Sequence, residues 1–334
     1  IYATLGVTLT DADLAGESTY NDELAGICDE LEARGIATIS DGALCVFLDG
    51  YTGREGKPVP LIIRKSDGGY GYATTDLATI RRRVRDLHSD RILYVIGVTQ
   101  ALHLNMVWDT ARKAGWLTDD VEVVHVQIGS VLGEDRKLLR TRSGRPLKLM
   151  ELLEEAIATA RTVVDEARPD LDSELRATIA PQVGIGAVKY ADLSVAHDSD
   201  YVFDLDRMVS LTGNTGPYLQ YAAARIRSIF RSAGLDPEHA DASLVITEPA
   251  ERALALALLD FGDVVVHVGD RLEPHHLCGY LFDLAQHFST FYEQCPVLKA
   301  EPEARASRLA LCRTTLAVLT TGLDLLGISS PDRM

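Results

Sequence analysis

In the stretch RILYVI, residues 91–96, Arg91 leads a continuous apolar run rich in β-branched side chains. That is the pattern of a strand buried on both faces of a parallel sheet. Upstream of it, Thr74 or Thr75 is placed to cap a helix expected from Asp76 to about Leu87, with Leu77, Ile80 and Val84 at helical spacing. Downstream, a second helix is expected from about Leu102 to Ala114, followed by a strand over Val121–Ile128. Before the first helix, Ile36–Ile39, Leu44–Leu48 and Leu61–Arg64 form short apolar runs. The turn signals Ser40-Asp41-Gly42, Asp49-Gly50 and Ser66-Asp67-Gly68-Gly69 bound them. Strand and helix therefore alternate in the order of a doubly wound α/β fold.

The pattern changes after Gly144. From Leu147 to Ala167, Leu149, Leu152, Leu153, Ala156 and Ile157 form a helical stripe, interrupted by Pro169-Asp170. Helices are expected over 173–193, 218–232, 250–268, 274–294 and 303–326. Pro274 stands in a first turn and Gly327 just past a C-terminus, as helix ends prefer. No fixed-period repeat and no low-complexity tract is present. An α/β part over 1–168 followed by an all-α part over 169–334 is the expected organisation, and 334 residues suit two domains of roughly 100–200 each.

Apolar residues make up 46% and charged residues 25%, which excludes wholesale disorder. No apolar run reaches the roughly 20 residues that span a bilayer. With 33 Lys and Arg against 49 Asp and Glu, the formal charge is −16, which argues against a general electrostatic grip on nucleic acid but leaves room for a local basic patch. Cys28, Cys45, Cys278, Cys295 and Cys312 form no CxxC pair and are odd in number. Neither a disulfide framework nor a cysteine zinc site is expected, and the cytoplasm is the natural compartment. The chain opens at Ile1 with no charged segment leading into an apolar core, so no secretory leader is expected. The Ile start also leads us to expect further residues upstream.

Four stretches could carry chemistry, each with a plainer alternative. In Asp67–Asp76 the glycines allow a close backbone approach to a ligand. Tyr72 and Asp76 share a helix face if the helix begins early, and a carboxylate beside a phenol suits a cationic group; the alternative is a glycine turn and a capped helix. Gln100 and His103 follow the strand ending at Ile96-Gly97, at the mouth where open α/β sheets bind ligands, or else are surface residues on a first helical turn. Residues 134–148 hold Arg136, Lys137, Arg140, Arg142, Arg145 and Lys148 against Glu134 and Asp135, a net +4. Such a loop could close over a polyphosphate or simply be solvated. In the helix Tyr218–Arg231, Tyr218, Tyr221 and Arg225 share a face with Arg227 and Arg231 nearby and no acid, which suits unpaired bases and phosphates; amphipathic helices with core tyrosines look similar. His275, His276 and His287 make no convincing metal set for want of carboxylates at ligand spacing. No GxSxG elbow, Walker-type phosphate loop or HExxH occurs.

Taken together, SDGGYGYATTDLATIRRRV (66–84), VIGVTQALHLNMV (95–107), VLGEDRKLLRTRSG (131–144), VGIGAVKYADLS (183–194), SDYVFDLDRM (199–208), GNTGPYLQYAAARIRSI (213–229) and GLDLLGISSPDRM (322–334) resemble bacterial arginyl-tRNA synthetases, in order, over essentially the whole chain. The resemblance implies the second half of a class I synthetase Rossmann-like fold followed by an all-α anticodon-binding bundle. It implies an arginine–tRNA ligase that adenylates arginine with ATP and Mg²⁺ and transfers it to tRNA, as a monomer with no protein-bound metal.

By the same resemblance, Glu17, Tyr72, Asp76 and Gln100 hold arginine and His103 lies on the ATP side. Lys137 and Arg140 belong to the KMSKS-like loop, here KLLRTRSG, with Arg140 in place of the usual second lysine; arginine's planar fork differs from lysine's point charge. Tyr218, Tyr221, Arg225 and Met334 face the anticodon loop. No HIGH-like signature occurs in the chain, which corresponds to about the C-terminal three-fifths of such an enzyme. Two alternatives stay open: a stand-alone relative that binds tRNA or arginine without ligating, and one half of a split synthetase. Half of a doubly wound sheet is also expected to leave an unpaired edge and an uncovered apolar face.

Overall fold

A computed structural model describes residues 1–53, 56–133, 135–139, 148–240 and 242–334. The elements run α1 Tyr2–Leu5, α2 Asn21–Ala33, β1 Ala37–Ser40, β2 Ala43–Thr52, β3 Pro58–Arg64, α3 Tyr72–Arg85, β4 Arg91–Gly97, α4 Ala101–Lys113 and β5 Glu122–Ile128. They continue with β6 Val131–Leu132, α5 Leu149–Ala167, α6 Ser173–Leu193, β7 Tyr201–Val202, α7 Leu205–Met208 and α8 Gly216–Ala233. The last four are α9 Pro249–Leu259, α10 Phe261–Arg271, α11 His275–Gln294 and α12 Pro302–Leu325. Two compact units result, one of residues 8–129 and one of residues 1–7 with 130–334.

In the first unit, β4 and β5 pair in parallel through the crossover helix α4, with Arg91 opposite Glu122 and Gly97 opposite Ile128. The other three strands depart from the doubly wound expectation. They form an antiparallel meander, β1-β2-β3, the first two joined by a two-residue turn. Asp41 and Gly42 in the first turn have φ of 49° and 80°, values that suit the Asp-Gly pair of a two-residue hairpin. The core between the meander and α2, α3 and α4 holds Ile27, Leu31, Ile63, Leu77, Ile80 and Val107, all fully buried. Each such side chain is worth about 1.5–3 kcal/mol of transfer free energy.

Two local expectations are corrected here. Helix α3 begins at Tyr72, four residues before the expected start. Gly71, in extended conformation, occupies the N-cap, and the two threonines turn elsewhere: Thr74 donates its hydroxyl to the Ile63 carbonyl and Thr75 to the Tyr72 carbonyl at 2.9 Å. The early start places Tyr72 and Asp76 one turn apart on one face. Strand β4 is not buried on both faces, since Leu93 and Val95 are 42% and 58% exposed. Among the described residues its one ladder partner is β5, so the expected bare apolar face and edge are present.

The second unit is helical apart from the short parallel pair β6–β7. Its main core joins α8, α9, α11 and α12 through Leu219, Leu254, Leu281, Phe288, Leu319 and Leu323. Helix α8 is capped as its sequence asks: Thr215 accepts from the Tyr218 amide at 3.2 Å, Pro217 sits in the first turn, and Gly234 follows the end at φ 66°. The single helix expected over 250–268 is divided at Asp260 into α9 and α10.

Close packing of α5 on α6 depends on one missing side chain. A Cβ at Gly184 would lie 2.7 Å from the Ala156 carbonyl oxygen and 2.8 Å from the Ile157 Cα, both backbone atoms that cannot step aside. Gly184→Ala is expected to lower stability by about 1–3 kcal/mol, the scale of an overpacked core. Urea titration followed by circular dichroism measures this, and an unchanged midpoint would show that the two helices can separate at no cost.

All five cysteines are buried and free. Burial pushes the Cys28 thiol up to about 11 and those of Cys278 and Cys312 up to about 12.

Candidate functional site

A cavity of about 890 Å³ opens in the first unit, and Glu17, Tyr72, Asp76, Gln100 and His103 all line it. Three separate pieces of local structure converge there. Glu17 comes from a single 3-10 turn, Glu17–Tyr20; Tyr72 and Asp76 come from the start of α3; Gln100 and His103 come from the entry into α4. That entry lies just past the carboxyl end of β4, where open α/β sheets place their ligands.

Within the cavity His103 Nε2 and Asp76 Oδ2 are 2.6 Å apart, with both side chains about one-third exposed. Residues that sequence assigned separately to arginine and to ATP therefore touch. Asp76 Oδ1 takes no hydrogen bond from the described side chains, leaving one carboxylate oxygen for a ligand. Tyr72 is 71% exposed at the cavity's rim.

Two further lining residues were missed in the sequence, Tyr94 and Arg83. The Arg83 guanidinium lies 5.2 Å from the centre of the Tyr94 ring. The Tyr94 hydroxyl is buried, and burial raises its pKa against the pull of Arg83 and Trp108. Burial thus keeps the phenol protonated. The strand pattern of β4 gave no cue, because Tyr94 reads simply as another apolar strand residue. Two carboxylates, a carboxamide and phenols around one cavity suit a ligand that is cationic and rich in hydrogen-bond donors.

The remaining predicted residues lie in the second unit. Lys137 lies next to β6: Leu139 N donates to the Val131 carbonyl at 3.0 Å and Gly133 N to the Lys137 carbonyl at 2.8 Å. Its side chain is 82% exposed and 3.9 Å from Asp135 Oδ2. Arg140, with residues 141–147 of the basic loop, lies outside the described residues.

On α8, Tyr218, Tyr221 and Arg225 are each half-buried. Tyr218 packs its ring 5.6 Å from Phe282 and places its hydroxyl 3.4 Å from Ser289 Oγ. The Arg225 guanidinium is sandwiched between Tyr221 at 4.9 Å and Tyr292 at 5.3 Å, and Nη2 donates to the Tyr221 hydroxyl at 3.2 Å. Tyr292, on α11 and 42% exposed, completes the face and was not legible in the α8 sequence.

Two of the helix's arginines have other duties. Arg227 Nη1 donates to Ser330 Oγ at 2.8 Å and the Pro331 carbonyl at 3.1 Å, and Arg231 Nη1 donates to the Asp332 carbonyl at 3.1 Å. They hold the segment that ends at Met334. Met334 is itself buried beside Tyr221, its carbonyl accepting from Arg168.

The histidines also read differently in the fold. Glu273 Oε2 lies 3.0 Å from His276 Nε2, and His267 joins them from α10, so the carboxylate that seemed lacking is present. His287 is not part of that group. No helix among the described residues is long and apolar enough to cross a membrane.

Comparison with known proteins completes the description. Residues 1–205 match the family of class I tRNA synthetases (R), catalytic domain, and residues 219–334 match the DALR anticodon binding domain. An arginine–tRNA ligase of Thermobifida fusca is 68% identical over 335 residues, covering 100% of this chain and 58% of the relative. One of Frankia casuarinae is 56% identical, covering 100% and 57%. The chain thus spans under three-fifths of the length of the curated relatives it matches. Among solved structures, arginyl-tRNA synthetase from Plasmodium falciparum superposes with a TM-score of 0.83 at 30% identity, covering 100% of this chain and 56% of that one. The Thermus thermophilus enzyme gives 0.84 at 26% identity, covering 99% and 61%. An α/β part bearing the cavity and a helical part matching an anticodon-binding module, each similar to the corresponding part of these proteins, show that the chain belongs to the class I arginyl-tRNA synthetase family.

Proposed function

We propose that this chain supplies the arginine-binding side and the tRNA-selecting side of an arginine–tRNA ligase. The observation that carries the reading is the convergence of Glu17, Tyr72, Asp76 and Gln100 on one cavity. A guanidinium offers five donors in a planar fork, and paired carboxylates answer it bidentately. His103, bonded to Asp76, links the arginine side to the ATP side.

In the complete reaction the arginine carboxylate attacks the α-phosphate of ATP, giving arginyl-adenylate and pyrophosphate, and the arginyl group then passes to the tRNA's terminal ribose. Lys137 and Arg140 neutralise the departing pyrophosphate, with Mg²⁺ accompanying the ATP as substrate. Asp76, Glu17, Tyr72 and Gln100 do the orienting. Residues 1–168 carry this chemistry and residues 169–334 face the tRNA, where Tyr218, Tyr221 and Arg225 meet unstacked anticodon bases while Met334 backs Tyr221. Five buried thiols fit a reducing, cytoplasmic setting.

Equilibrium binding of labelled arginine, and separately of a tRNA with an arginine anticodon, tests this on the purified protein. Both are expected to bind. Arg225→Gln is expected to weaken tRNA binding about tenfold, to flatten its salt dependence by about 0.7 in the log–log slope, and to spare arginine. A folded protein that binds neither ligand, or an Arg225→Gln variant with unaltered tRNA affinity and salt slope, overturns the assignment it addresses.

A further inference from the structure

The corner between α10 and α11 brings together three side chains that the ligase reading does not use. His267 lies on α10, Glu273 in the connecting turn and His276 in the first turn of α11. One potential ligand atom from each falls within 4.8 Å of the others, and Glu273 Oε2 to His276 Nε2 is 3.0 Å. In a tetrahedral zinc site with bonds near 2.0–2.1 Å, ligand atoms stand about 3.3 Å apart. The Glu273–His276 pair is thus already at bonding separation, and His267 has only a side-chain adjustment to make.

The backbone pre-forms this arrangement. Leu272 ends α10 at φ 61°, in the left-handed region that is unfavourable for a branched-chain residue, while its amide still donates to the Val268 carbonyl at 2.8 Å. Pro274 follows at φ −60°, and the His276 amide donates to the Glu273 carbonyl at 3.2 Å. A sharply turned, hydrogen-bonded corner therefore holds Glu273 against His276, beside His267. The His267 ring stands edge-on to His276 with centroids 5.1 Å apart, and His275 packs 4.2 Å from the other side, restricting how His276 can turn.

The geometry points to a binding site for a borderline divalent cation, Zn²⁺ being the reference case, held by His267, Glu273 and His276 with a water in the fourth position. Two imidazoles and a carboxylate are the donor set that zinc accepts and that magnesium, which demands oxygen, does not. The ion would clasp α10 to α11 across the strained Leu272 turn. This assignment stands apart from the arginine and tRNA reading and is measured without either ligand.

The test is equilibrium dialysis of the chelator-stripped protein against micromolar Zn²⁺, with bound metal determined by elemental analysis. One equivalent is expected, retained in millimolar Mg²⁺. His267→Ala, Glu273→Gln and His276→Ala are each expected to weaken binding about tenfold or more, at least the scale of losing an outer-shell partner. His287→Ala, elsewhere on α11, keeps full affinity. His267 and His276 are exposed, so their alanine variants fold normally, and circular dichroism checks that. Absence of bound zinc, its displacement by Mg²⁺, or equal binding by the parent and all three variants overturns the proposal.

Discussion

Asp76→Ala is expected to weaken arginine binding about a hundredfold, since a charged hydrogen bond is worth about 1.5–3 kcal/mol and its loss also strips His103 of its partner. The substitution removes a carboxylate from a cavity whose one other predicted acid is Glu17. The effect belongs to arginine alone, so tRNA affinity stays within twofold. Asp76→Asn separates charge from shape: it keeps the side chain's outline, and most of the loss is expected to persist because an amide accepts from a guanidinium with one oxygen and no charge. Calorimetric titration with arginine, beside filter binding of tRNA, measures both. Unaltered arginine affinity in Asp76→Ala would remove Asp76 from the site, and parallel loss of both affinities would mean that it supports the fold instead.

Glu251→Ala is expected to destabilise the helical unit by about 3–5 kcal/mol, the scale of breaking a buried ion pair from one side. Glu251 is 1% exposed, and its Oε1 accepts from Arg308 Nε at 2.6 Å. Its Oε2 accepts from the backbone amides of Thr247 at 2.8 Å and Glu248 at 3.0 Å, closing the start of α9. Arg308 donates in addition to the Pro296 carbonyl at 2.8 Å. Removing the acid leaves a buried guanidinium and two helix-terminal amides unsatisfied. Replacing both partners by methionine is expected to cost far less, because no charge is then stranded.

The pair also predicts a pH dependence. Burial alone would raise the Glu251 pKa, but the Glu248 and Thr247 amides and the Arg308 guanidinium outweigh it and hold the carboxyl below its ordinary 4.5. The unfolded chain therefore binds this proton first. The stabilisation is complete above about pH 4.5 and drains away as pH falls through the lower folded value. Urea midpoints between pH 3 and 7 should fall more steeply for the parent than for Glu251→Gln, and parallel curves would show that Glu251 is not a source of acid lability.

Periodicity in the sequence located α3 to α6, α8, α11 and α12, because long amphipathic helices advertise a buried stripe, but it did not find α2 over Asn21–Ala33 or the short α1 and α7. It failed where a local rule met a tertiary competitor. Thr74 and Thr75 have cap-forming side chains, but the Ile63 carbonyl of β3 captured one hydroxyl and the helix's own backbone the other, leaving Gly71 to begin α3. Apolar β3 looked like a strand of the parallel sheet, yet it pairs with β2 in an antiparallel meander. The stripe over 250–268 carried no Pro to mark its break at Asp260.

The site divided in the same way. Residues close in sequence or carried by matching motifs were found together in the cavity, whereas Arg83 and Tyr94 hide in a basic run and an apolar run whose other members do structural work. The arginines of α8 were indistinguishable on paper; only the fold shows that Arg227 and Arg231 are spent on residues 330–332 while Arg225 stacks between two tyrosines. His276 lacked a visible carboxylate because Glu273 sits across a proline, where helical spacing rules do not apply.

Four of the five buried thiols equip the molecule with internal clocks. Cys28 lies in the core of the first unit and Cys278, Cys295 and Cys312 in that of the second, so an alkylating reagent reaches either set only when that core opens. Mass spectrometry of slowly labelled native protein therefore reads two separate opening frequencies from one sample, without an engineered probe.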